Sequence, residues 1–548
     1  MAPSVPSLLP PPWTAATMAR TWRHATAEGR TFDVCVVGAG ITGAGVAREA
    51  ALRGLSTLVL ERRDVAFGTS SRSSRLVHGG VRYLEQGDLG LVYEALAERT
   101  ILLRTAPGLV SPDRFLFAVH RGDRRPLWQL RLGLALYDVL SGFAGKSERL
   151  PAEDTRRREP LLSSPDLAGA VVYDDARTDD ARLCLSVLQD ARRHGAWVQT
   201  RREVHRLSRT REAWCIETDD GIVRARCVVV ATGPFTDQRL LGPAGRGLVQ
   251  RSKGVHLVFR HRDVPVRGPV VLEVPRRKRI VFVVPWANRT YVGTTDTPYE
   301  GDPDAVGVTR DDVAELLAVV RPRLPNARLV PEAIVGAYAG LRPLVRAGDT
   351  GDVADVSRTH RIVEPQPGCL AIVGGKLTTH RRMAEDVLVR VARHLGIPFR
   401  RGVSARRPLV PDASHLGPVS PFEAADLPAR HGALAPLLAA RARSDPALAR
   451  PVVPDLPVLE VEIEHALAYE GCVHLDDLVR RRLPLALLDT RACLEAAPRL
   501  ARRLVASAGR PPGDADAEVE RLAEAITREV GAAIPGTRPT ESGPISAP

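Results

Sequence analysis

The order of apolar and polar positions divides the chain into an alternating strand–helix front, a β-rich middle and a helical end. An apolar run at Val34–Val37 is followed by a glycine turn, a small-residue helix over 44–53 and a second apolar run over 56–61. Unbroken apolar runs of this length predict parallel strands buried on both faces. Helical spacing marks 90–105, 127–142 and 179–194, and strand patterns follow at 197–207, 213–218 and 222–231. Residues 250–300 hold several β-rich runs, among them "GVHLVF" and "RIVFVVPW". A helix over 309–324 is predicted with Thr309 as its N-cap. The stretch 368–396 predicts strand, glycine turn and long helix. A Pro- and Ala-rich linker then leads into a helical pattern from about 432 to 532, and no internal repeat is visible.

At 548 residues the chain is long enough for two or three domains with ample core. Its formal charge of +13 favours anionic partners. That argument is weakened by the composition, because only four of the 77 basic residues are Lys (146, 253, 278 and 376) and the arginine bias resembles a coding preference. No nucleic-acid motif accompanies the charge, so nucleic acid is not an expected partner. The seven Cys form no CxxC and no zinc spacing, which predicts reduced thiols and no metal site. Residues 1–30 lack the apolar core of a secretory signal and predict a disordered tail, with Met18 as an alternative start. No run of about twenty apolar residues predicts a membrane span.

Three motifs carry chemistry. Gly38-x-Gly40-x-x-Gly43 stands between a strand and a helix. In this arrangement Gly38 permits the tight turn, Gly40 the approach of a pyrophosphate, and Gly43 close helix–strand packing, with the phosphates at the helix N-terminus. Glu61 ends the next strand, at the distance of a ribose-binding acid. This motif alone does not separate NAD from FAD. The second motif, "CVVVATGPFTD" (227–237), is a strand ending in Ala-Thr-Gly, which leans toward FAD and places Gly233 near the cofactor. The third, "IVGGKLTTHRRMAEDV", puts Gly374-Gly375 ahead of a helix with Thr378 and Thr379 as donors in its first turn. Such a helix start suits the electron-rich pyrimidine side of a reduced flavin.

The segments "TSSRSSRLVHGGVRYLE", "KGVH", "RIVFVVPW", "VGTTDTPYEGDP", "YAGLRPL" and "VGGKLTTHRRMAE" together resemble the FAD-dependent glycerol-3-phosphate dehydrogenases of the aerobic, quinone-linked type. The resemblance runs from about 32 to 490 and includes "YEGCVHLDDLVRRRLPLALLD" (469–489), similar to the family's C-terminal cap. Two departures are visible: Phe235 where Trp is common, and "VSRTH" (356–360) in place of a Ser-Arg-Asp run. The resemblance implies an α/β flavoprotein of two dinucleotide-binding (Rossmann-like) folds, with a β-rich substrate domain and an all-α C-terminal domain. The expected boundaries are a tail (1–30), an FAD-binding domain (31–405) with an inserted substrate part at about 245–345, a linker (406–430), a helical domain (431–535) and a second tail (536–548).

The implied cofactor is FAD, with Thr69, Ser70, Ser74, Gly79, Gly80, Gly375, Lys376, Leu377 and Thr378 joining the motif residues named above. Arg82, Arg342 and Arg358 are expected to bind the substrate phosphate, with Tyr83 beside Arg82. Lys376 is expected to stabilise charge near the flavin or the alkoxide. His256 is the candidate base, against the alternative of a structural histidine. The implied reaction takes sn-glycerol 3-phosphate to dihydroxyacetone phosphate by hydride transfer, with a membrane quinone accepting the electrons. The chain would then be cytoplasmic and peripheral on the inner face of the cell membrane, docked on an anionic leaflet, with a homodimer left open. The run 127–143 reads first as a helix buried in the fold and second as an interfacial helix. The rival functions are a glycerol-3-phosphate oxidase using oxygen, an amine-oxidising flavoenzyme of the same fold, and a non-catalytic flavin binder.

Overall fold

The computed structural model describes residues 8–80, 88–141, 146–236, 238–275, 279–345, 360–417, 419 and 426–534. The strands of the front half are β1 (Thr31–Val37), β2 (Thr57–Glu61), β3 (Leu76–Val77), β4 (Val110–His120), β5 (Glu148–Pro151), β6 (Leu167–Thr178), β7 (Trp197–Thr200), β8 (Val204–Arg209), β9 (Trp214–Thr218) and β10 (Gly221–Val230). Those that follow are β11 (Val249–Arg260), β12 (Val270–Glu273), β13 (Ile280–Trp286), β14 (Arg289–Gly293), β15 (Thr297–Pro298), β16 (Ile334–Val345), β17 (His360–Gln366) and β18 (Cys369–Gly374). Described helices of ten residues or more are α1 (Ala15–Ala25), α2 (Ile41–Ala51), α3 (Leu89–Thr105), α4 (Leu127–Leu140), α5 (Asp180–Arg193), α6 (Arg310–Val320), α7 (His380–Leu395), α8 (Ala435–Ser444), α9 (Glu460–Tyr469), α10 (Thr490–Ser507) and α11 (Asp514–Val530).

One sheet runs β17-β18-β10-β1-β2-β7, with β9 and β8 added beside β10. Its centre is parallel: Val34–Val37 pair with Cys227–Val230 on one side and with Thr57–Leu60 on the other. Alternation along β1 explains the unbroken apolar run. Val34 and Val36 enter the core shared with α2, α5 and α7, whereas Phe32, Cys35 and Val37 enter a second core that contains Trp22 of α1. The chain leaves β1 toward β2 on one side and returns at β10 on the other. Such a reversal opens a crevice outside the carboxyl ends of the strands.

The second sheet runs β15-β11-β14-β13-β12-β4-β6-β3, with β16 on β11 and β5 on β6. It draws on 76–178 as well as on 249–345, so the expected substrate part at 245–345 supplies six of its ten strands and the earlier segment the other four. Parallel pairing of Val270–Leu272 with Leu116–Ala118 joins the halves. The helical C-terminal region is not a separate body either. Leu478, Val479, Leu504 and Ile526 share one core with Val255, Leu257 and Ala337 of the second sheet.

Three further expectations are corrected. Residues 8–25 are not a loose tail: Leu8 and Trp13 are buried, and Trp13 exchanges backbone hydrogen bonds with Ala468 and Gly471. Arg192 stacks on the Trp13 ring and donates to the carbonyls of Pro11 and Pro12. Met18, Trp22 and Ala25 are buried along with Leu8 and Trp13, so apolar residues spaced through a Pro- and Ala-rich context anchor the segment. Within the expected linker, Leu409, Val410 and Ala413 are buried in the core of the first sheet. Helix α4 does not bury its apolar residues as a whole. Leu130, Leu134 and Tyr137 face inward, but Trp128, Leu132, Leu136 and Val139 are exposed. Among the described residues no helix is long and apolar enough to cross a membrane.

The packing of the N-terminal strap gives a test. Removing a buried Trp side chain costs roughly 3–5 kcal/mol. Trp13→Ala should therefore lower the melting temperature in scanning calorimetry, and a chain begun at Met18 should melt at least as early. Melting unchanged from the parent would place residues 8–17 outside the cooperative structure.

Candidate functional site

The crevice at the carboxyl ends of β1 and β10 holds a cavity of about 520 Å³. The first glycine motif builds its floor. Gly38 has φ 106°, and a Cβ there would stand 2.6 Å from the Ala231 carbonyl oxygen. A Cβ on Gly43 would stand 1.9 Å from the Gly38 carbonyl oxygen and 3.3 Å from Val36, so the helix lies directly on the turn. Gly40 occupies the N-cap of α2 without a side-chain cap, and α2 has no acid in its first turn. The helix N-terminus therefore presents backbone N–H groups and positive dipole to the cavity. Glu61 accepts from the Ala39 and Arg63 N–H groups at 2.8 Å each, which fixes its carboxylate beside the turn. Burial pushes the Glu61 carboxyl above its ordinary range, opposed by those two backbone donors.

Loop residues 69–74 close one side. Ser70 Oγ accepts from the Ile41 N–H at 3.0 Å and Thr69 Oγ1 donates to the Leu341 carbonyl at 2.6 Å. The Tyr291 hydroxyl donates to the Ser74 carbonyl at 2.6 Å, and Ser74 Oγ lies 3.0 Å from His256 Nε2. The two described arginines of this stretch are spoken for: Arg72 pairs with Glu529, and Arg75 pairs with Asp179 and Asp180 under the Trp286 ring. Arg82, Tyr83 and Arg358 lie outside the described residues.

The long antiparallel pair β11–β16 brings the reacting groups together. In its register Ser252 faces Arg342 and His256 faces Tyr338. His256, Arg342 and Lys376 all line the cavity, with Gly233, Gly375, Leu377 and Thr378. The His256 ring stacks on Tyr338 at 4.7 Å and meets Tyr291 edge-on at 5.6 Å. Burial, then the positive charges of Arg342 and Arg75, hold its pKa well below the ordinary histidine value, so the ring is a neutral proton acceptor. Arg342 donates to Asp296 at 3.1 Å, to Thr294 Oγ1 at 3.0 Å and to the Thr295 carbonyl at 3.1 Å. This fork is pre-aligned. The Gly254 backbone runs close under it, where a Cβ would lie 2.6 Å from Arg342 Nη2. Lys253 of the same "KGVH" run is buried against Asp312 at 2.6 Å and so holds structure.

Other placements depart from expectation. Gly79 does not line the first cavity. It is buried, donates to the Tyr137 hydroxyl at 2.9 Å, and lacks a side chain because Tyr137 and Leu96 fill that space. Gly80 lines a second cavity of about 740 Å³ between α4 and the second sheet. Helix α7 starts at His380 with Thr379 as N-cap, and the Thr378 hydroxyl is shared with the backbone of His78. Asp296, Thr294 and Ser252 around Arg342, and the two tyrosines around His256, were missed. A solitary acid inside "VGTTDTP", within an arginine-rich site, was the available signal for Asp296. The tyrosines carry no local signal, since only the strand register brings them to the histidine.

The cradle fits a dinucleotide cofactor: a cap without a side chain, an acid beside it, positive φ at Gly233 (56°) and Gly375 (82°), and no room for a Cβ on Gly375 because of Met383. Residues 33–381 match the family described as FAD dependent oxidoreductase, and 370–510 match the C-terminal domain of alpha-glycerophosphate oxidase. The chain is 36% identical to glycerol-3-phosphate dehydrogenase 2 of Mycobacterium tuberculosis over 94% of this chain and 92% of that protein. It is 35% identical to the aerobic glycerol-3-phosphate dehydrogenase of Staphylococcus saprophyticus over 68% of this chain and 69% of that one. The crystal structure of glycerol-3-phosphate dehydrogenase from Bacillus halodurans with FAD shares the fold, with a TM-score of 0.75 and 24% identity over 95% of this chain and 99% of that one. The chain belongs to the FAD-dependent oxidoreductase family, within its glycerol-3-phosphate dehydrogenase branch.

Proposed function

We propose that this protein oxidises sn-glycerol 3-phosphate at C2 to dihydroxyacetone phosphate and passes the electrons to a membrane quinone, working as a peripheral protein on the cytoplasmic face of the membrane. The observation that carries the chemistry is one cavity holding a pre-aligned Arg342 fork, a neutral His256 and Lys376 beside a dinucleotide cradle. FAD, when bound, supplies the acceptor for the hydride that leaves C2. Arg342 binds the phosphate dianion through charge-assisted hydrogen bonds and so orients C2. His256 takes the proton of the C2 hydroxyl, and the Lys376 ammonium stabilises the developing alkoxide. A phosphate fork has no use in oxidising a simple amine, which favours the glycerol-phosphate reading over the amine-oxidising one.

The acceptor and membrane readings are supported by the second cavity. It shares Ser74, Leu76, His78, Thr294 and Arg342 with the first and is otherwise lined largely by apolar residues, including Phe115, Phe117, Leu132, Leu136, Val139 and Phe282. Its helical wall, α4, carries the exposed Trp128, Leu132, Leu136 and Val139, and α3 adds the exposed Leu89 and Tyr93. Arg131, next to Leu132 in the same helix, is exposed as well. Exposed apolar residues with a basic neighbour suit an anionic leaflet, and an apolar cavity beside the reacting groups has room for the head of a lipid-borne quinone.

Three experiments test the proposal. Truncating one partner of a buried charge pair costs about 2–5 kcal/mol, or about 30- to several-thousand-fold. Arg342→Ala should lower kcat/KM for glycerol 3-phosphate by a factor in that range, with FAD retained and activity on unphosphorylated glycerol changed far less. An equal fall for both substrates would remove Arg342 from the phosphate site. The second experiment is a pH profile. Because its pKa lies well below 6.5, His256 stays neutral through that region in the free enzyme. Once kcat/KM is corrected for ionisation of the substrate phosphate, the acid limb should lie well below the ordinary histidine value; a limb centred at that ordinary value would contradict the buried, neutral base. The third uses Leu132→Asp at an exposed site. Losing one leucine from an apolar contact, about 1.5–3 kcal/mol, should weaken binding to anionic vesicles by about ten- to a hundredfold. Reduction of a vesicle-borne quinone should fall with it while reduction of a soluble dye holds. Unchanged vesicle binding and quinone reduction, with fast reoxidation by oxygen, would favour the oxidase.

A further inference from the structure

The three consecutive arginines of "DDLVRRRLP" lie in a single wide turn of helix, Leu478–Arg482, at the start of the last helical layer. All three are buried, at 6%, 2% and 1% exposure. Wide helical turns of this kind recur at functional sites, and three adjacent buried guanidinium groups demand partners. Asp476, Asp477 and the Glu470 carbonyl supply local partners, and the others belong to the cofactor loop and to the last helix. Arg482 binds Asp64 through Nη1 at 2.6 Å and Nη2 at 2.8 Å, and Arg481 Nε reaches the same carboxylate. Asp64 is fully buried and stands three residues beyond the ribose-side acid Glu61. Arg480 binds Glu529 of α11, and Glu529 in turn takes Arg72 Nε at 3.1 Å and Nη2 at 3.3 Å. The remaining Arg72 nitrogen donates to the Phe67 carbonyl. The Phe67 ring, which lines the cofactor cavity, has the guanidinium groups of Arg63, Arg72 and Arg481 at 4.6, 5.3 and 5.6 Å.

The two carboxylates thus tie the loop that follows β2 to the helical region at both ends, at Asp64 before Phe67 and at Arg72 after it. Between the ties lie Phe67, Gly68, Thr69 and Ser70, all on the cavity wall. The residues that pair with them stand 417 to 457 positions later in the chain and reach the cavity only through Phe67 and Arg72 on its wall. We propose that Asp64 and Glu529, gripped by the Arg480–Arg482 turn, are positioning residues for FAD: the C-terminal helical region is part of the cofactor site and holds the 62–74 loop closed over the bound dinucleotide.

The test compares the parent with Asp64→Asn and Glu529→Gln, which keep shape and remove charge. Apoprotein of each is titrated with FAD by flavin fluorescence, and melting is recorded with and without saturating FAD. A positioning role predicts at least a tenfold rise in the dissociation constant for each variant and a smaller FAD-induced rise in melting temperature. A merely structural role lowers the apo and holo melting temperatures together and leaves FAD affinity within twofold of the parent, which would overturn the proposal. If either variant fails to fold, hydrogen exchange on the parent decides. Adding FAD should slow exchange across 478–482 and 526–530, and exchange there indifferent to FAD would equally overturn it.

Discussion

The contact on which the site depends is the one between the Gly38 carbonyl and the Cα of Gly43. Helix α2 sits on the turn that precedes it with no side chain between them, and a methyl group at Gly43 would collide with that carbonyl at 1.9 Å. This closeness fixes where α2 starts and how it is inclined, and therefore where its uncapped N–H groups converge. Glu61 reads the same geometry from the next strand by holding the Ala39 and Arg63 N–H groups. The helix dipole, the acid and the open cap are three consequences of one steric condition.

Against that frame the second sheet acts as a carrier. Its longest antiparallel pair sets His256 opposite Tyr338 and Ser252 opposite Arg342, so the spacing of base and phosphate ligand is a matter of strand register. A one-residue slip would send both side chains to the opposite face. Val255 and Leu257, which alternate with His256, lie in the core shared with the C-terminal helices and resist that slip. The same burial that enforces the register also keeps the histidine neutral.

The first sheet was legible in the sequence because its signals are local: apolar runs, glycines at fixed offsets and an acid at the strand end all fall within thirty residues. Arg342 and Lys376 were legible as unusual residues in motifs, and His256 through its short run. What escaped depends on distance in the chain. Strands β4 and β6 show mixed patterns because one face meets a core and the other a helix, so the sheet's true extent was hidden. Gly79 was read as cofactor-facing but makes room for Tyr137, a partner 58 positions later. The strap at 8–25 was read as disordered because composition cannot reveal that Trp13 has a slot beside Gly471, whose own missing side chain accommodates the indole. The arginine bias weakens any argument from net charge. It says nothing of the buried arginines, whose multidentate guanidinium can join two or three distant carboxylates where a lysine would serve one.

The pairing of Arg72 with Glu529 spans 457 positions of chain. Ribosomes add roughly 5–20 residues per second, so the order of events during synthesis follows from this one contact. The glycine turn, α2 and β2 emerge early, but the loop beside them waits on the order of half a minute or more for the helix that grips it. During that interval the nascent chain presents a finished turn and an unfinished wall. With the proposed grip on this loop, the dinucleotide is enclosed only once nearly the entire polypeptide has been made, so the proposal places loading of the cofactor late in the biogenesis of the protein.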